Sequence, residues 1–152
     1  MDTKDKQLLK LLQQDATLSV NDLADRISLS ATPTWKRIQR LAREGPIKKQ
    51  VCLLDRKALN VNITVFVAIK TNQHDPKWLE KFATNVCDLP EVVEFYRMSG
   101  KIDYLLKIVV PDIEGYDKIY KKLINAAALY DVSSSFAMEE IKHTTVLPLD
   151  YC

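Results

Sequence analysis

Cysteine is scarce in this chain and poorly placed for pairing: Cys52, Cys87 and Cys152 lie far apart with no C-x-x-C spacing, which makes a poor disulfide framework. A reducing compartment is the simpler inference. With His74 and His143 they also lack metal-ligand spacing, so neither a zinc site nor a metal cofactor is expected. No apolar run nears the roughly 20 residues needed to cross a bilayer, and the start, MDTKDKQLLK, has no basic-then-apolar leader pattern. A soluble, cytoplasmic protein without membrane contact is the expectation. Low-complexity tracts and Gly/Ser-rich linkers are missing as well, so a loose tether between modules is excluded. Paired carboxylates, a nucleophile with its base and a phosphate loop are also missing, which argues against an enzyme.

What is present is apolar matter and localised positive charge. Of 152 residues, 47% are apolar, enough to build one ordinary core or two small ones. The net charge of +2 is unevenly spread: residues 1–50 hold ten Lys and Arg against six Asp and Glu, whereas residues 51–152 hold twelve against fourteen. A basic amino-terminal module followed by a nearly neutral one is implied.

In the first fifty residues the period is helical. Leu8, Leu9, Leu11 and Leu12 mark a helix from Thr3 to Gln14, with Asp5 in its first turn. Ser19 and Asp22 form a capping arrangement ahead of Val20, Leu23, Ala24 and Ile27. Ser28-Leu29-Ser30 is a tight connection with Leu29 as inward plug, Pro33 suits the first turn of a third helix, and Gly45-Pro46 ends it. Three short helices, the last two joined by a tight turn, read as a helix-turn-helix domain over 1–47. Winding Thr34 to Glu44 places Thr34, Ile38 and Leu41 on one face, with Trp35 as a packing wedge at its margin. Lys36, Gln39, Arg40 and Arg43 fall opposite, with Arg37 at the boundary.

That basic face points to duplex DNA. Lys36, Arg37, Arg40, Arg43, Lys48 and Lys49 are the candidate phosphate contacts. Ser30, Thr32 and Thr34, with Lys36 or Gln39, are candidates for reading base edges.

Residues 48–62 read as a strand or hinge linker, in which Val51-Cys52-Leu53-Leu54 forms a strand or meets another chain. From residue 63 to 152 the order is β-α-β-β-α-β. Its strands are expected at Ile63–Lys70, Glu91–Met98, Tyr104–Val110 and Val132–Lys142, and the last would place Val132, Ser134, Phe136 and Met138 on one face. The helices are built around Trp78, Leu79, Phe82, Ala83 and Val86, with Cys87 a small core residue, and around Ile113, Tyr116, Tyr120, Leu123, Ile124 and Ala127. This is an α+β chain: a three-helix head followed by a ferredoxin-like βαββαβ domain. Phe66 and Phe95 are expected on the sheet face left open, and self-association through that face follows.

The segments SATPTWKRIQRLAREGPIKK, LDRKALN, LPEVVEFYRMSGKIDYLLKIVVPDIEGY and IKHTTVLPL together resemble, in the right order, the Lrp/AsnC or feast/famine transcriptional regulators. The resemblance implies a ferredoxin-like sensor domain, binding of an amino acid or similar small metabolite between sensor domains, and dimers that assemble further into octamer-like rings. Pro46 departs from the family's usual aliphatic residue behind the third helix.

The turn from Met98 through Ser99, Gly100, Lys101, Ile102 and Asp103 to Tyr104 has parts for such an effector. Gly100 permits close approach, Asp103 suits an α-ammonium group and backbone amides suit a carboxylate. The same turn also reads as a plain hairpin in which Asp103 bonds its own backbone. Thr144, beside Thr145, is either a pocket hydroxyl or a strand end. A stand-alone metabolite-binding subunit that regulates an enzyme is the competing reading of the whole chain.

Overall fold

Two opposed capping boxes start the head. Asp2 precedes α1 (Thr3–Leu12): its Oδ1 accepts from Asp5 N at 2.8 Å, while Asp5 Oδ2 accepts from Asp2 N at 3.1 Å. Ser19 and Asp22 repeat the device ahead of α2 (Val20–Arg26). Both boxes satisfy amides that the first turn leaves without helical partners. Between α2 and α3 (Ala31–Glu44) the chain turns through Ser28 at φ +55°, and Leu29 N bonds back to Ala24 O at 3.0 Å. Leu29 packs on the small core of Leu8, Leu23 and Ile27, which also takes Ile38 from α3.

Gly45, at φ +103°, ends α3 in the left-handed conformation. The amides of Gly45 and Ile47 both reach Leu41 O, at 3.2 and 3.3 Å. Pro46 therefore sits inside a regular left-handed helix stop, and Ile47 makes the return bond to the helix.

The computed structural model describes residues 1–72, 75–126 and 129–152, which fall into two compact units: 1–53 with 141–152, and 54–140. His74 and Ala127 lie outside the described residues. The second unit is a sheet of β1 (Ile63–Lys70), β2 (Val92–Arg97), β3 (Tyr104–Val110) and β4 (Asp131–Phe136), in the order β2-β3-β1-β4 with every neighbour antiparallel. Helices α4 (Pro76–Cys87) and α5 (Ile113–Ala126) complete the βαββαβ order. Strict alternation sends Val65, Val67 and Ile69 of β1 and Leu106, Ile108 and Val110 of β3 into one core with Phe82, Val86, Ile119 and Leu123 of the helices.

Several expectations need correction. A register irregularity between Val92 and Glu94 inserts Val93 as an unpaired residue, which inverts the alternation of β2. Phe95 therefore packs inward, 5.7 Å edge-on from both Phe82 and Tyr104, and Tyr96 takes the outer position, on the same open face as Phe66 but two strands away. The last strand stops at Phe136, and Met138 is fully exposed. In α5 the buried stripe is Tyr116, Ile119 and Leu123; Ile113 and Ile124, off its centre, are exposed. Cys87 is exposed at the end of α4. Residues 51–54 form no strand within the chain, and Val51, Leu53 and Leu54 are exposed.

The tail 141–152 does not extend the sheet but groups with the helical head. There the Gln13 amide takes the place of a backbone partner, donating to Leu147 O at 3.0 Å and accepting from Leu147 N at 2.9 Å.

Candidate functional site

The helical head presents one solvent-facing stripe. Thr32, Lys36, Gln39 and Arg43 follow one another at i, i+4, i+7 and i+11 on α3, and all are exposed. Ser30 stands at the helix start, where its side chain makes no cap bond and is exposed. Lys48 and Lys49 are exposed beyond the Gly45 stop. Trp35 is not a packing wedge: it is 52% exposed and borders this stripe.

Three residues expected at the nucleic-acid face are held elsewhere. Thr34 is fully buried, and its hydroxyl donates back to Ser30 O at 2.9 Å, so it belongs to the packing face. Arg37 and Arg40 turn toward the start of α1. Arg37 Nη1 lies 2.6 Å from Asp2 Oδ2 and 2.8 Å from Asp5 Oδ1, and Arg40 Nη2 lies 2.5 Å from Asp5 Oδ2. Asp5 is only 1% exposed, yet it accepts from both guanidinium groups and from Asp2 N. Burial works to raise its pKa; the Asp2 amide and Arg37 outweigh that and hold the carboxyl below its usual range. The hydrogen bond from Asp5 N, followed by that from Arg37, depresses Asp2 as well, and the Arg37 guanidinium is raised in turn. A carboxylate so buried carries its charge only because these donors replace its water.

In the second unit the turn after β2 keeps part of its promise. Gly100 adopts φ +118°, and Ser99, Gly100 and Lys101 are exposed with Met98 beside them. Asp103, in contrast, is a structural tie rather than an open acceptor, because its Oδ2 takes Thr71 N at 2.8 Å. Its backbone N–H bonds Ile69 O at 2.9 Å, and its carbonyl takes Met98 N at 2.8 Å. Its side chain ties the turn to the end of β1, and its carbonyl also closes the turn itself on Met98. Tyr104 is buried among Trp78, Phe82 and Phe95. Thr144 lies in the tail, in the other compact unit, where its hydroxyl accepts from Val146 N at 3.1 Å.

The AsnC-type helix-turn-helix domain model matches residues 1–42, and the Lrp/AsnC ligand binding domain model matches residues 64–147. The chain belongs to the Lrp/AsnC family. It is 47% identical to the DNA-binding transcriptional activator DecR of Escherichia coli, covering 99% of both chains. To the glutamate uptake regulatory protein of Zymomonas mobilis it is 48% identical, covering 98% of this chain and 91% of that one. Among solved structures, an AsnC family transcriptional regulator from Agrobacterium tumefaciens superposes with a TM-score of 0.97 at 54% identity, covering 99% of both. A transcriptional regulator from Neisseria meningitidis, solved in complex with L-Met, superposes with a TM-score of 0.93 at 29% identity, covering 99% of this chain and 98% of that one.

As a Lrp/AsnC regulator the chain is assigned to transcription, and the relatives it matches are regulators rather than enzymes. Among the described residues, no helix is long and apolar enough to cross a membrane. What sequence reading missed is the pairing of Asp2 and Asp5 with the arginines of α3, and the exposure of Trp35. The only signal for the pairing was an Asp-x-x-Asp spacing ahead of a leucine run, which is a capping pattern and says nothing of partners on α3.

Proposed function

We propose that this chain is a sequence-specific DNA-binding transcriptional regulator in which α3 enters the major groove. The exposed stripe of Thr32, Lys36, Gln39 and Arg43 on the second helix of the helix-turn-helix pair carries this reading. Lys36 and Gln39 have the donors to address guanine and adenine edges, Ser30 and Thr32 supply hydroxyls at the helix start, and Arg43, Lys48 and Lys49 meet phosphates. Trp35 joins them as an apolar contact at the margin. One such head binds weakly, so a homodimer spanning half-sites about 34–36 Å apart is the binding unit. Steep salt dependence of duplex binding, measured by fluorescence anisotropy, is the test. The double variant Lys36→Ala/Arg43→Ala should lose at least ten-fold in affinity and flatten the salt slope by up to about 0.9 per charge removed and per head. Unchanged binding would favour the reading as a stand-alone regulatory subunit of an enzyme.

The second unit is proposed to sense an amino acid or related small metabolite at the exposed part of the turn, Met98, Ser99, Gly100 and Lys101, supported by the L-Met complex of the Neisseria relative. Asp103 and Tyr104 drop out of the contact set for the reasons of geometry above, and Thr144 stays in it as a candidate. A thermal-shift screen of the twenty amino acids against wild type and Lys101→Ala tests this, with a shift by at least one amino acid, reduced in the variant, as the expected result. The open sheet face around Phe66 and Tyr96 and the exposed run Val51–Leu54 support a cytoplasmic homodimer that assembles further, with an octamer as the proposed end state.

A further inference from the structure

The basic count of the recognition helix overstates the charge it can offer to DNA. Two of the four cations on α3, Arg37 and Arg40, are hydrogen-bonded to Asp5, and Arg37 also to Asp2. Asp5 is buried to 1% exposure on α1, whereas the arginine side chains are 27% and 40% exposed. Drawing either guanidinium away to a phosphate would leave a buried carboxylate short of donors, which is the costly way to break an ion pair. Glu44, 3.7 Å from Arg40 Nε and from Arg43 Nη2, adds a further negative charge nearby without a hydrogen bond. Lys36 has no such carboxylate among the ion pairs of the described residues.

We propose that Asp5 is a positioning residue for DNA recognition: it locks Arg37 and Arg40 to α1, which fixes the pose of α3 and keeps both arginines out of phosphate contact. The stripe of Lys36, Gln39 and Arg43 is then left to set affinity and sequence preference. Discrimination benefits, because phosphate contacts strengthen binding to every sequence alike and base contacts do not. This rests on the DNA-binding reading of the head.

The test is the slope of log binding constant against log salt for the full-length protein on a short mixed-sequence DNA duplex, between about 50 and 200 mM NaCl. Asp5→Asn keeps the side-chain shape and removes the charge that both arginines share, leaving Arg37 only its pair with Asp2 and Arg40 none on α1. The expected result is tighter binding to mixed sequence at low salt and a slope steeper by up to about 0.9 for each arginine released. Asp5→Glu should restore the wild-type slope in part. A purely structural role for Asp5 predicts weaker binding with an unchanged or shallower slope, and that result overturns the proposal. A second variant needs no loss of Asp5: Arg37→Gln/Arg40→Gln should keep the wild-type slope, the loss of the α3 pose showing only as weaker binding at that slope, and a flattening by one unit or more overturns the proposal even if Asp5→Asn fails to fold. Failure of the wild type to bind any duplex would instead overturn the DNA reading itself, and this inference with it.

Discussion

Asp5 shows how much one side chain can control in a small domain. The head core is built on Leu8, Leu23 and Ile27, each worth about 1.5–3 kcal/mol when fully buried, so a charged cluster of similar weight is not marginal there. Asp5→Ala removes the shared acceptor of two guanidinium groups and one amide. Since both arginines stay partly solvated, the loss should be near the lower end of about 1.5–3 kcal/mol for charge-assisted bonds. Urea denaturation followed by Trp35 emission in a Trp78→Phe background would measure it. The same cluster dictates an acid response. Asp2 and Asp5 are both depressed in the folded head, so in acid the unfolded chain binds more protons than the folded one. Their stabilisation is complete above the unfolded aspartate value of about 3.9 and disappears as pH falls through the lower folded values. Wild-type head should lose stability across that window, and Asp5→Ala should lose distinctly less.

Elements in this chain depend on single residues where their direction changes. Gly45 holds φ +103° with nothing within 4 Å of the position a Cβ would take, so a substitution there meets backbone strain and no clash. Gly45→Ala is expected to cost about 1–2 kcal/mol, read as a lower head melting temperature with unaltered sensor melting. The irregularity at Val93 in β2 makes the opposite kind of point. It turns Phe95 into the aromatic cluster and leaves Phe66 outside. Phe95→Ala should cost about 3 kcal/mol of sensor stability, whereas Phe66→Ala should change the stability of a dissociated protomer little. Chemical denaturation of the two variants at low protein concentration would distinguish them. Equal costs would mean that β2 and β1 present their phenylalanines to the same side.

For the assembled molecule the exposed apolar groups matter more than the cores. Phe66 and Tyr96 occupy the sheet face opposite α4 and α5, and Val51, Leu53 and Leu54 are exposed on the segment after the head. Surfaces of this kind are consistent with the self-association proposed above. Phe66→Glu places a charge in the middle of that face. It is expected to reduce the assembly by at least one oligomeric step in size-exclusion chromatography with light scattering, and to weaken duplex binding through loss of paired heads. An unchanged mass would remove the open face from the assembly interface.

The local patterns needed no tertiary information. Period 3.6 before residue 50 and period 2 after residue 62, with Ser19-x-x-Asp22, Pro33 and Gly45 as punctuation, were enough to write down both domains, because each rests on neighbours within a few residues. The outward position of Lys36, Gln39 and Arg43 was legible in the same way. What the fold alone decided are the contacts made across distance: that Arg37 and Arg40 answer to Asp5 rather than to solvent, that Asp103 closes on Thr71, and that the tail finds Gln13. A helical wheel assigns a side chain to a face but not to a partner. Long arginines and short carboxylates are claimed by whatever buried charge or unpaired amide the packing brings within about 3 Å.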